Sequence, residues 1–111
     1  IRIGESTTRV NRVQSPVLPQ KINLDQNFPN PFNSSTEIRF SLATAGQAEL
    51  TIYNLAGQQI ATLVDAQLPT GPHIAVWNGR TNAGKDLATG VYFYRLRAGD
   101  KLENRKLILL R

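Results

Sequence analysis

Residues 36–57 read TEIRFSLATAGQAELTIYNLAG, and this stretch decides the fold. Ile38, Phe40 and Leu42 alternate with Glu37, Arg39 and Ser41. After a short break, Ala48, Leu50 and Ile52 alternate with Glu49 and Thr51. A period of two places one set of side chains on each face of an extended chain, so both runs read as strands with one face in a core and one toward solvent. Asn54-Leu55-Ala56-Gly57 then reads as a turn, with Gly57 free to take positive φ.

Outward from these two strands the same pattern recurs between turn signals. Gln58–Asp65 returns as a hairpin partner carrying Ile60, Leu63 and Val64, and Pro69, Gly71 and Pro72 interrupt the chain before His73–Trp77. In that run Ile74 and Val76 share one face and His73, Ala75 and Trp77 the other, and the pattern leaves open which is buried. Asn78-Gly79 and Asn82-Ala83-Gly84 mark a long turn, with a short extended piece expected near Lys85–Leu87. Val91–Ala98, a turn at Gly99-Asp100 and Leu102–Leu110 complete an all-β chain of about seven strands with no helical period. The expected architecture is an antiparallel immunoglobulin-like β-sandwich, with a small closed barrel as the lesser arrangement. Residues 1–20, broken by Pro16 and Pro19, read as a linker from a preceding cargo domain, and residues 21–111 as the folded domain.

Composition narrows the function. The 111 residues contain no Cys, which excludes disulfides and thiol chemistry. No apolar run approaches the roughly 20 residues of a membrane-spanning helix. The net charge of +5 sits at the ends: residues 95–111 hold six basic and two acidic side chains, whereas residues 21–94 hold four and five. Tyr92, Phe93 and Tyr94 beside Arg95 and Arg97 raise nucleic-acid binding, but no RNP-type motif surrounds them and none is expected. His73 is the only His, and the eight carboxylates fall in no catalytic or metal-binding spacing. Asn78, Asn82 and Asp86 offer a single carboxylate, too little for tight calcium binding. The reading is a monomeric, non-enzymatic module with no cofactor.

Five segments in order carry a resemblance: Asn27-Phe28-Pro29-Asn30-Pro31-Phe32-Asn33, Ile52-Tyr53-Asn54-Leu55-Ala56-Gly57-Gln58, Trp77-Asn78-Gly79-Arg80, Gly90-Val91-Tyr92, and Arg105-Lys106-Leu107-Ile108-Leu109-Leu110-Arg111. Together they resemble the C-terminal sorting domain of cargo proteins of the bacterial type IX secretion system, a family close to the Ig-like domain of the flagellar hook-capping protein. Asn54 and Asn78 stand where that family often has Asp. The resemblance implies a sandwich that takes an attached cargo from the periplasm across the outer membrane. A sortase-like peptidase then removes the domain and attaches the cargo to surface lipopolysaccharide. The terminal strand adds the expectation that the chain stops at Arg111 because the end is what the translocon reads.

Particular residues follow. Pro29, Asn30 and Pro31 form a rigid entry corner from which Phe28 and Phe32 both reach the core. Gly57 and Gly90 are turn glycines. Trp77, Tyr92 and Tyr94 are core aromatics, with sugar stacking on Trp77 as the rival that would make this a carbohydrate-binding or Ig-like spacer module of a secreted hydrolase. The hairpin Val91–Arg111 is expected at an accessible sheet edge. There Gly90, Tyr92, Arg105, Lys106, Leu107, Ile108, Leu109, Leu110 and Arg111 would be recognised by strand addition or by docking of an apolar face, with Lys106 and Arg111 supplying charge complementarity.

Overall fold

The computed structural model describes residues 21–111, and the linker expected over residues 1–20 lies outside them. Seven strands follow one another with no helix among the described residues: β1 (Ile22–Leu24), β2 (Thr36–Leu42), β3 (Gly46–Tyr53), β4 (Gln59–Leu68), β5 (Gly71–Trp77), β6 (Gly90–Ala98) and β7 (Lys101–Leu109). They form two antiparallel sheets, β1-β2-β5 and β4-β3-β6-β7. The opening stretch supplies one central strand to each sheet, and its alternation closes the sandwich: Ile38, Phe40 and Leu42 face Ala48, Leu50 and Ile52 across the core.

Turn chemistry places the hairpins. Asn54 Oδ1 accepts from the N–H groups of Ala56 (3.0 Å) and Gln58 (2.9 Å), and Gly57 takes φ 82°. The turn is therefore specified by an Asn that mimics backbone and a Gly that tolerates the left-handed region. In β5 the choice left open by sequence resolves toward the face of Trp77: Ala75 and Trp77 point inward, while Ile74 and Val76 are exposed. The short strand expected near Lys85–Leu87 is only a single bridge between Arg80 and Asp86.

The two sheets are tied at one corner by buried polar groups. The Tyr94 hydroxyl donates to Asp25 O (2.6 Å) and accepts from Asn27 N–H (2.9 Å). Asn27 Nδ2 donates to Thr36 Oγ1 (3.0 Å) and Pro29 O (3.2 Å), and Thr36 Oγ1 donates to Pro29 O (2.8 Å). These bonds hold the Pro29-Asn30-Pro31 corner, whose Phe28-Pro29 and Asn30-Pro31 peptides are both cis. Burial pushes the Tyr94 phenol up to about 12. A pKa raised in the folded state stabilises below the unfolded value near 10 and loses that contribution as pH rises toward 12. Tyr94→Phe is therefore expected to cost about 1–3 kcal/mol at neutral pH by orphaning buried Asn27 N–H. It should also flatten the alkaline fall in stability, a change measurable by urea titration across that pH range.

Candidate recognition surface on the terminal hairpin

β6 and β7 pair in regular register, from Gly90 opposite Leu109 to Ala98 opposite Lys101. β6 is interior to its sheet and β7 is the edge. The hairpin residues separate cleanly by depth. Tyr92, Leu107 and Leu109 are core, and Tyr92 stacks edge-on against Trp77 with ring centroids 5.9 Å apart. Lys106 and Leu110 are exposed and Ile108 is half-buried. A partner docking on the folded domain meets Lys106, Ile108 and Leu110, because Leu107 and Leu109 are spent on the core.

The edge of β7 is open only in part. Its even-numbered residues direct their backbone groups away from β6, as alternation in an antiparallel ladder requires. From the Lys106 carbonyl onward those groups are taken by the segment after β1. Gln26 Nε2 donates to Lys106 O (2.8 Å), and Ile108 N–H donates to Asn30 Oδ1 (2.9 Å). Phe32 N–H donates to Ile108 O (3.0 Å), and Leu110 N–H donates to Phe32 O (2.8 Å). Strand addition over Lys106–Leu110 would have to displace this cap.

Two of the basic residues expected to face a partner, both exposed, also bond to the domain itself. Arg105 Nε donates to Leu24 O (2.6 Å) and bridges the sheets. Arg111 Nε donates to Leu87 O (2.8 Å), its Nη2 donates to Gly79 O (2.6 Å) and lies 3.6 Å from Asp86, and its backbone N–H donates to Thr89 Oγ1 (2.8 Å). It thus locks the long turn after β5 to the end of β7. Asp86 also pairs with Arg80 Nε at 2.8 Å, and the guanidinium of Arg80 holds its carboxyl below the usual range. Asn82 is engaged by the backbone of Thr62. Asn78 Oδ1 accepts from Arg80 N–H (3.2 Å), so each of the three candidate calcium ligands is bonded within the protein, and no cluster of metal-ligating side chains occurs among the described residues.

Gly79 has φ 73°, and a Cβ there would lie 2.7 Å from Arg111 Nη2 and 3.3 Å from the Leu109 methyls. Gly79→Ala is therefore expected to cost about 1–3 kcal/mol, by left-handed strain and by expelling the guanidinium. Chemical denaturation of the variant checks this.

Two expectations need correction. Phe28 does not reach the core: it is 78% exposed, while Phe32 is buried against Trp77 at 5.7 Å between ring centroids. Phe28 pairs with Glu37 through the backbone, which orients its side chain to the outer face. Gly90 is not a turn glycine, since it is the first residue of β6 and lacks positive φ. Trp77 is 1% exposed with Nε1 donating to Arg80 O (2.9 Å), so it offers no sugar platform. Sequence reasoning quoted Asn27 without giving it a role, and its bonds to Tyr94, Thr36 and Pro29 organise the entry corner. The available signal was an Asn two residues before the first proline of the corner. On the outer face of β3 and β6, Arg95 lies over the Tyr53 ring at 5.1 Å and its Nε donates to Asn104 Oδ1 (3.0 Å), lining a shallow groove with Leu55 and Phe93.

An immunoglobulin-like sandwich with a terminal hairpin half capped by its own entry segment is the class of module defined here. The chain belongs to the FlgD Ig-like domain family, whose profile matches residues 28–101 and stops where β7 begins. No curated protein matches the chain. Among solved structures it is similar to dimeric latent PorU from Porphyromonas gingivalis, with TM-score 0.70 and 19% identity over 93% of this chain and 10% of that one. It is also similar to PorZ of the same organism, described as an essential bacterial surface component of the type-IX secretion system, with TM-score 0.53 and 20% identity over 78% of this chain and 11% of that one. The chain thus spans about a tenth of each, and at these identities the likeness is one of fold.

Proposed function

We propose that this domain is a non-catalytic sorting signal that directs an attached cargo across the bacterial outer membrane by type IX secretion. The observation that carries the reading is the division of labour on the terminal hairpin: Leu107 and Leu109 fix it to the core while Lys106, Ile108 and Leu110 are displayed on one side of it. A strand built only to finish a core has no need of that basic, apolar outer row. The occurrence of the same fold within PorZ, a type-IX secretion component, supports the assignment. On this reading the translocon docks on the outer row, because the cap over Lys106–Leu110 leaves side chains rather than backbone to be read. The domain passes through the periplasm with the cargo that precedes it. A sortase-like peptidase then releases the cargo for attachment at the cell surface. A periplasm-targeted reporter fused ahead of residues 1–111 should become accessible to external protease in a host with type IX secretion and not in its translocation-deficient mutant. Equal retention in both hosts would refute the proposal.

A carbohydrate-binding role keeps one foothold, the groove of Tyr53, Leu55, Phe93, Arg95 and Asn104. Retention of the domain on an insoluble polysaccharide, lost in Tyr53→Ala, would favour it.

A further inference from the structure

The uncapped half of the β7 edge has a chemistry of its own. Lys101 through Lys106 are all exposed, six residues in succession along one strand. The even-numbered residues among them point their backbone groups outward. Among the described residues nothing bonds the outward N–H and C=O of Leu102 and Asn104 or the N–H of Lys106. Among the described residues Glu103 makes no ion pair, and the Arg105 side chain bonds through its Nε alone, on Leu24 O. An open edge of this kind is a template for another strand.

We infer that this edge pairs with the same edge of a second copy, antiparallel about a twofold axis at Asn104. In that register Asn104 faces Asn104 of the other copy, and the two exchange both backbone hydrogen bonds. Leu102 faces Lys106, so the free Lys106 N–H meets the free Leu102 carbonyl. Glu103 faces Arg105 twice over, at the closer non-hydrogen-bonded positions where side chains approach most nearly. The Lys106 stem lies along Leu102, which is 50% exposed in the single chain.

Neighbouring registers fail on charge or on access. An axis at Glu103 sets Glu against Glu and Lys101 against Arg105. An axis at Arg105 sets Arg against Arg and pushes Leu102 toward Ile108, whose outward groups are already bonded to Asn30 and Phe32. An axis at Leu102 keeps a Lys101–Glu103 match but runs the ladder into the Gly99-Asp100 turn. The pattern Leu102-Glu103-Asn104-Arg105-Lys106 is self-complementary in one register, which is what an isologous contact demands. The ladder is short, so the association is weak and salt-sensitive. This inference does not depend on the sorting role.

The test is sedimentation velocity and amide exchange of the full chain over about a hundredfold range of concentration. A monomer–dimer equilibrium is expected, with exchange at Asn104 and Lys106 slowing as concentration rises. Glu103→Arg should weaken the dimer by about tenfold or more, since it makes two like-charge contacts. Glu103→Arg with Arg105→Glu should restore it, because the pairs are reversed together. Asn104→Pro should abolish it without loss of any β6–β7 backbone bond, since that N–H faces away from β6, and only the Arg95 Nε bond to the Asn104 side chain goes with it. Circular dichroism of each variant verifies the fold. A chain that stays monomeric throughout, or a dimer indifferent to both Glu103→Arg and Asn104→Pro, would overturn the inference. Protection of Asn104 and Lys106 that does not change with concentration would also overturn it, by assigning the edge to a segment of the same chain.

Discussion

Deleting Gly90–Arg111 is expected to abolish folding altogether. β6 lies between β3 and β7, and the two strands lost carry Tyr92, Tyr94, Leu96, Leu107 and Leu109 of the core. Each such side chain contributes about 1.5–3 kcal/mol by burial, and their sum rivals the whole stability of an ordinary domain, about 5–15 kcal/mol. The deletion also strips Leu50 and Ile52 of cover on one side and removes the hydroxyl that ties Asp25 and Asn27 together. Far-UV circular dichroism and amide dispersion should show an unfolded chain. A cooperative thermal transition in residues 1–89 would contradict the central place given to β6. A truncated fusion that fails to be exported therefore does not separate a lost address from a lost fold, and point substitutions on the outer row are needed.

Trp77→Ala is the single substitution with the largest expected cost, about 3–5 kcal/mol. Its ring meets Phe32 at 5.7 Å and Tyr92 at 5.9 Å between centroids, joining the entry corner to the terminal hairpin. Removing it also leaves the Arg80 carbonyl without the indole N–H that holds it at 2.9 Å. For a domain of this size the melting temperature should fall by roughly 15 °C or more. A variant that melts within a few degrees of the parent but no longer binds an insoluble polysaccharide would instead make Trp77 a surface platform.

The alternation in Thr36–Gly57 was enough to place two central strands and the turn between them, because a half-buried strand writes its two faces directly into the sequence. The hairpin at Gly99-Asp100 was legible for the same reason, and β6 and β7 begin and end within a residue of expectation. Legibility failed where position depends on distant chain. Phe28 and Phe32 flank two prolines with no period to rank them, and only the pairing of Phe28 with Glu37 sends one out and the other in. Arg111 reads locally as a charge offered to a partner. Its actual partners, the carbonyls of Gly79 and Leu87, lie 32 and 24 residues away. The cap on β7 is of the same kind, since Asn30 and Ile108 are separated by 78 residues. Gly90 misled because a glycine before a strand and a glycine in a turn look alike until φ is known.

The most direct test of the sorting reading compares a periplasm-targeted reporter bearing residues 1–111 with one bearing Lys106→Glu and Leu110→Asp, in a host competent for type IX secretion. Both substituted side chains are exposed, so the melting temperature of the isolated domain should barely move. External protease accessibility is the readout. The account predicts that the parent reaches the surface and the folded double variant stays periplasmic. Export of both alike, or of neither while the parent domain is folded, would contradict it.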